Sequence, residues 1–197
     1  MDMSHTALSL YDANSQRLYL NQDERCRFRQ AAEKQPAEIR AFALTLFFTG
    51  CRISEACGLR ASALQVASRT LSITCLKKRH RHVVRELPIP PELSSALADI
   101  MPRNGSCFWE FDGEQLPRIT AYRWIKTIMA DAGIQGVHAC PKGLRHSYGV
   151  NATMTGVQIH MLQRWMGHAS ISTTAIYATA IGPEEQKVAA RMWATAD

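Results

Sequence analysis

Apolar positions recur with a helical period along most of the chain and switch to a two-residue period in one short stretch. In 37–48, Ile39, Phe42, Ala43, Leu46 and Phe47 share one helix face; Pro36 opens this helix, and Gly50 suits the left-handed position that closes it. The helix ahead of it runs toward Lys34. Asn21 or Asp23 can cap that helix, and Asp23 and Glu24 fall in its first turn, where carboxylates meet the positive helix end. A short helix is expected over 54–59. Leu71, Ile73 and Cys75 then alternate with Ser72 and Thr74, and a second β-prone run, 83–87, follows a polar connection. The two runs predict a hairpin, stopped by Pro88, Pro90 and Pro91.

Beyond the hairpin the pattern predicts a helix from 91 to about 100 and a loop over 105–113 carrying Phe108, Trp109 and Phe111. A helix over 120–132 follows, with Gly133 as its stop signal. Four more helices are expected over 143–155, 157–166, 170–180 and 183–193. The first twenty residues show no clean period and read as a tail, or as an added strand or helix. There is no internal repeat and no low-complexity linker. The fold class expected is mainly α with a small antiparallel β-sheet (α+β), divided into an N-terminal tail over 1–19, one domain over 20–182 and a C-terminal helix over 183–197.

The length of 197 residues allows one domain with a tail, and 46% hydrophobic against 20% charged residues excludes wholesale disorder. The longest apolar run, 41–49, contains Thr45 and falls well short of the roughly 18 residues that a membrane span needs. Met1-Asp2-Met3-Ser4-His5 lacks the basic region of a secretion signal, so the default is a soluble, cytoplasmic protein. Lys and Arg outnumber Asp and Glu by 23 to 17, a net charge of +6 that mildly favours an anionic partner. The distribution sharpens this: Arg69, Lys77, Lys78, Arg79, Arg81 and Arg85 lie within 69–85, together with His80 and His82 and no acid. The competing reading of that cluster is a solvated hairpin tip. The six cysteines are scattered without a C-x-x-C pair or a following His at finger spacing, which predicts free thiols packed as small hydrophobes and no metal site.

Taken singly, the remaining polar candidates are ordinary. Arg52 reads as a surface arginine at a helix start with Glu55 as its partner three residues on. Arg145 reads as a helix-face arginine, His168 as a helix-terminal histidine and Tyr177 as an anchor for the last helices. Together they form an ordered set. Thr49-Gly50-Cys51-Arg52-Ile53-Ser54-Glu55 resembles the first arginine motif of the tyrosine recombinase (phage integrase) family. Lys142-Gly143-Leu144-Arg145-His146 resembles its second motif, a His or Lys followed two residues later by Arg. Gly167-His168, with Tyr177 nine residues after the histidine, resembles its closing signature. The resemblance runs from about residue 20 to 182.

What the resemblance implies is cleavage and rejoining of DNA through a 3′-phosphotyrosyl link, with no cofactor, metal or ATP. Tyr177 would be the nucleophile, and Arg52 and Arg145 would cradle the phosphate, since a guanidinium donates two parallel hydrogen bonds where a lysine cannot. Adjacent cations, from Arg145, Lys142 and His168, are expected to favour the phenolate of a tyrosine that ordinarily titrates near 10. A hairpin lysine serves the family as general acid; the two-residue period puts Lys77 on the face of Leu71, Ile73 and Cys75, so Lys77 is preferred over Lys78. Lys78, Arg79, Arg81 and Arg85 are then expected to contact backbone phosphates. Where the family most often has His, this chain has Lys142, which cannot act as a base near neutrality without a large pKa depression. Proton removal from Tyr177 is therefore expected through His168 or water, with His138 a weaker alternative.

The expected partners are double-stranded DNA at a specific site and further copies of the chain, a tetramer in the synapse, linked through the C-terminal helix. Larger family members carry a core-binding domain ahead of the catalytic one, for which the residues before 20 are too few. The native-looking start favours a naturally short member over an excised domain. Two other readings stay open: type IB topoisomerase-like relaxation, and a non-catalytic DNA-binding regulator that kept the fold.

Overall fold

The computed structural model describes residues 9–75, 83–102 and 106–179, together with 189, 190 and 193. Helix α1 (Gln22–Glu33) starts at Asn21, not Asp23. The Asn21 side chain accepts from the Glu24 N–H at 2.8 Å, and the Glu24 carboxylate accepts from the Asn21 N–H at 2.9 Å, so two orphan donors are satisfied reciprocally. Helix α2 (Ala37–Thr49) is buried on every face in its second half. Thr45 and Thr49 are accommodated there because their hydroxyls donate to the carbonyls one turn back. Around α2 pack α1, α4 (Pro91–Asp99), α5 (Arg118–Asp131) and α6 (Pro141–Met154). Phe42 anchors this core, meeting Trp109 and Trp124 edge-on at 5.0 and 5.8 Å.

The sheet has three antiparallel strands in the order β1 (Leu64–Gln65), β2 (Thr70–Thr74), β3 (Val84–Pro88). Leu71 faces Leu87 and Ile73 faces Arg85, and these four side chains form the buried face. The expected hairpin is therefore present, with β1 as an unforeseen edge. The expected loop contains a second hairpin, β4 (Glu110–Phe111) and β5 (Glu114–Gln115). Asp112 and Gly113 join its strands with φ of 53° and 78°, the left-handed pair that a tight two-residue turn demands.

The expected 54–59 helix is α3 (Ile53–Cys57), starting earlier because Glu55 bonds back to Arg52. Helix α7 (Ile159–Met166) ends at Gly167 in the left-handed conformation. The helix expected over 170–180 is α8 (Ser172–Ala175) followed by a tighter 3₁₀ turn (Ile176–Thr179) that holds Tyr177.

Of the segment read as a tail, residues 9–19 fold back on the domain. The Leu18 N–H donates to the Leu10 carbonyl at 2.8 Å, and Leu10 and Tyr19 are buried in a cluster with Val150, Leu162, Met166 and Tyr177. Lys77, Lys78, Arg79 and Arg81 lie outside the described residues, as does most of 183–197. Among the described residues no helix is long and apolar enough to cross a membrane, and no group of three His, Cys, Asp or Glu side chains is placed to hold a metal ion.

Candidate active site

A cleft of about 510 Å³ lies between α3, α5, α6 and the α8 turn, and Arg52, Lys142, Arg145, His146, His168 and Tyr177 all line it. Arg52 is set by the chain reversal at the end of α2. Gly50 takes φ 58° there, and the Tyr148 ring stands where a Cβ would be. Directly after this turn the Arg52 N–H donates to Glu55 Oε2 and its Nη1 to Oε1, both at 2.9 Å. The guanidinium is thus held at the cleft wall, 27% exposed, over a fully buried carboxylate.

Arg145 bridges two helix ends. Its Nη1 donates to the Gly50 carbonyl at 2.6 Å and its Nη2 to the Met166 carbonyl at 2.8 Å. These are the C-terminal ends of α2 and α7, where carbonyls lack helical partners and the dipole is negative, so the cation is stabilised where it is needed. Burial, then the charge of Arg52, lowers Arg145 to about 10, still a cation at neutral pH. Lys142 is exposed in the first turn of α6.

Tyr177 is almost fully enclosed, at 1% exposure. Its hydroxyl lies 3.3 Å from Nδ1 of the buried His146, and its ring stacks on His168 with centroids 6.2 Å apart and planes at 17°. Gly149 provides the space for that ring, since a Cβ there would stand 2.5 Å from Cε1 and Cζ. His168 Nδ1 is engaged with Thr174 Oγ1 at 2.9 Å. Burial pushes Tyr177 up to about 12 against the opposing pull of Arg145 and Arg52. Burial and the neighbouring cations push His168 down to about 3 and His146 to about 4, so both rings are neutral at pH 7.

Five of the expected catalytic residues therefore share one cleft: Arg52, Lys142, Arg145, His168 and Tyr177. Three expectations need correction. Arg85 is no surface phosphate contact: it is 4% exposed, with Nη2 on Glu55 at 2.6 Å, Nε on the Trp165 carbonyl at 2.7 Å and Nη1 on Cys75 Sγ at 3.0 Å. His138 pairs with Glu24 at 3.0 Å, outside the cleft. The phenol is raised, because desolvation outweighs the cations, and the nitrogen on its hydroxyl belongs to His146, not His168. His146 stands in the second motif beside Arg145 but was given no role there, because adjacency in sequence does not show that its ring meets Tyr177.

Residues 18–181 match the model of the phage integrase family. The chain belongs to that family. The chain is 31% identical over 135 residues to a tyrosine recombinase of Thermosipho africanus (strain TCF52B), covering 67% of this chain and 46% of that protein. It is 31% identical over 148 residues to the tyrosine recombinase XerD of Lacticaseibacillus casei, covering 70% and 49%. The chain spans about half the length of these curated relatives. Among solved structures, XerA recombinase superposes with a TM-score of 0.78 at 24% identity, over 90% of this chain and 66% of that one. XerH bound to palindromic difH substrate gives 0.71 at 24%, over 94% and 56%. These share the expected fold, mainly α with a small antiparallel sheet.

Proposed function

We propose that this member of the phage integrase family is a site-specific DNA recombinase in which Tyr177 is the nucleophile. The Tyr177 oxygen attacks a scissile phosphate and gives its proton to water, a 3′-phosphotyrosyl bond forms, the bond to the 5′ oxygen breaks, and that oxygen departs as a hydroxyl with a proton from Lys77. Attack by a 5′-hydroxyl on that link reverses the chemistry and joins strands, so no nucleotide is consumed. One observation carries the reading: Arg52, Arg145 and Tyr177, far apart in sequence, line a single cleft. Charge on the non-bridging oxygens is then met by two guanidiniums in place of a metal. Arg145 gives two of its five N–H groups to carbonyls and retains three for the phosphate. Lys142 extends the positive wall, and Lys77 is the lysine assigned to protonate the leaving oxygen. Tyr177 must leave the His146 pocket before it can attack, which ties nucleophile exposure to DNA binding. Duplex DNA and further copies of the chain, four in the synapse, complete the assembly, with Lys78, Arg79 and Arg81 on backbone phosphates.

The test is covalent capture on nicked duplexes drawn from the DNA flanking the protein's own gene. Wild-type protein should form a denaturant-stable complex at a defined phosphate, and Tyr177→Phe should form none. A 5′-thio leaving group should rescue Lys77→Ala but neither Arg52→Ala nor Arg145→Ala, because a thiolate departs without an acid. Plasmid relaxation without sequence preference would point instead to topoisomerase-like action, and specific binding without any covalent complex to a regulator.

A further inference from the structure

Arg85 is a cation where the strand pattern calls for an apolar side chain. It occupies the inward face of β3 between Leu87 and the strand end, opposite Ile73, and its three nitrogens reach three different elements. Nη2 meets Glu55 on α3, Nε the carbonyl of Trp165 near the end of α7, and Nη1 the sulfur of Cys75 just after β2. A buried arginine is costly unless paired, so a compensating role is called for.

That role is visible at Glu55. Its Oε2 accepts from both the Arg52 N–H and Arg85 Nη2, while Oε1 accepts from Arg52 Nη1. Burial alone would raise this carboxyl, yet the hydrogen bond and charge of Arg85, followed by those of Arg52, hold it below the usual carboxylate range. The carboxylate is therefore negative, 0% exposed at its side chain, and shared by two cations of which one is 3% and the other 27% exposed. One carboxylate neutralises one guanidinium. Which of the two it neutralises decides how much positive charge the cleft presents.

We infer that Arg85 is a positioning residue of this site: it neutralises Glu55 from within the core, so that Glu55 orients Arg52 without consuming its charge. Arg52 then faces the cleft as a full cation held at the right place. Without Arg85, Arg52 is the single counter-charge left to Glu55, with which it is already paired, and the carboxylate cancels its positive charge at the cleft. The same guanidinium fixes the carbonyl of Trp165, next to the Met166 carbonyl that Arg145 holds, so both phosphate-facing arginines rest on one braced unit.

This inference rests on the recombinase reading, and the experiment separates the two. Cleavage rates are compared on a duplex with an ordinary scissile phosphate and on one with an uncharged methylphosphonate there. Arg85→Met should slow the phosphate substrate about 100-fold, as a small misplacement of a charge-stabilising group does, but the methylphosphonate substrate less than about fivefold. Arg85→Met with Glu55→Gln, which removes both charges but leaves Arg52 only one side-chain acceptor, should regain part of the phosphate rate lost by Arg85→Met alone. Arg85→Lys, which keeps the buried cation, should retain the wild-type ratio between the substrates even where Arg85→Met does not fold. Equal slowing of both substrates by Arg85→Met, or a lysine variant that loses the wild-type ratio, overturns the role of Arg85. Wild-type protein that cleaves neither duplex overturns the recombinase reading itself.

Discussion

The hydroxyl of Tyr177 sits 3.3 Å from Nδ1 of His146, while its ring lies against Gly149 and stacks on the His168 ring. The two groups are mismatched for proton transfer. With the phenol raised to about 12 and the imidazole lowered to about 4, moving the proton across is uphill. In this pocket Tyr177 stays protonated and sheathed. On the proposed function, a phosphate bound between Arg52 and Arg145 would change that balance and draw the hydroxyl out of the pocket.

Tyr177→Phe isolates the hydroxyl from the ring. The ring supplies the packing in the second cluster, so unfolding by urea should show a loss of only about 1 kcal/mol, the worth of one hydrogen bond. Gel shifts should show DNA binding close to wild type, while the covalent complex disappears.

Arg145→Lys should be far from conservative. One ammonium cannot reach the carbonyls of both Gly50 and Met166, so a carbonyl at a helix end is left without its partner. Urea unfolding should reveal a loss of about 1–3 kcal/mol. Single-turnover cleavage should fall by about 100-fold or more, as for removal of a charge-stabilising donor.

The pH dependence of stability follows from the two histidines. His146 and His168 titrate in the folded protein near 4 and 3, below their ordinary value of about 6.5. As pH falls below about 6.5 the unfolded chain takes up protons and the folded one does not. Their contribution is thus complete above 6.5 and is lost progressively toward 4 and 3, by up to about 1.4 kcal/mol per pH unit for each ring. Urea midpoints at pH 7, 5.5 and 4.5 should trace this decline, and His168→Asn should flatten it.

The helices and the main hairpin were legible because each carries its own period and punctuation, Pro36 and Gly50 around α2 being the plainest case. Arg52, Arg145, His168 and Tyr177 were legible as an ordered set of motifs, though nothing local brings them together. Arg85 shows where reading by residue type misleads: the alternation that put Leu87 inward also put Arg85 inward, but its charge and its place beside a basic cluster argued for the surface. The Asp112-Gly113 turn was present as a dipeptide signal, obscured by strands of only two residues on either side. The contact of His146 with Tyr177 and the packing of Leu10 and Tyr19 had no local signal, since both join residues distant in sequence.

Gly149→Ala probes the space reserved for the Tyr177 ring. Gly149 lies inside α6, where alanine is the better helix former by roughly 1 kcal/mol, so backbone preference alone predicts a gain. Space predicts the opposite. The new methyl would stand 2.5 Å from the Tyr177 ring carbons, closer than packed carbon atoms come, and that ring is almost fully buried and also stacks on His168. Overpacking of this kind costs about 1–3 kcal/mol, which exceeds the helix gain. Either α6 shifts or the ring leaves its slot, and both move the hydroxyl relative to Arg145, which is on the same helix one turn before Gly149. The variant should therefore be less stable to urea, bind DNA with little change, and lose covalent attachment. Unaltered stability together with an unaltered cleavage rate would show that the ring does not rest against Gly149 in solution.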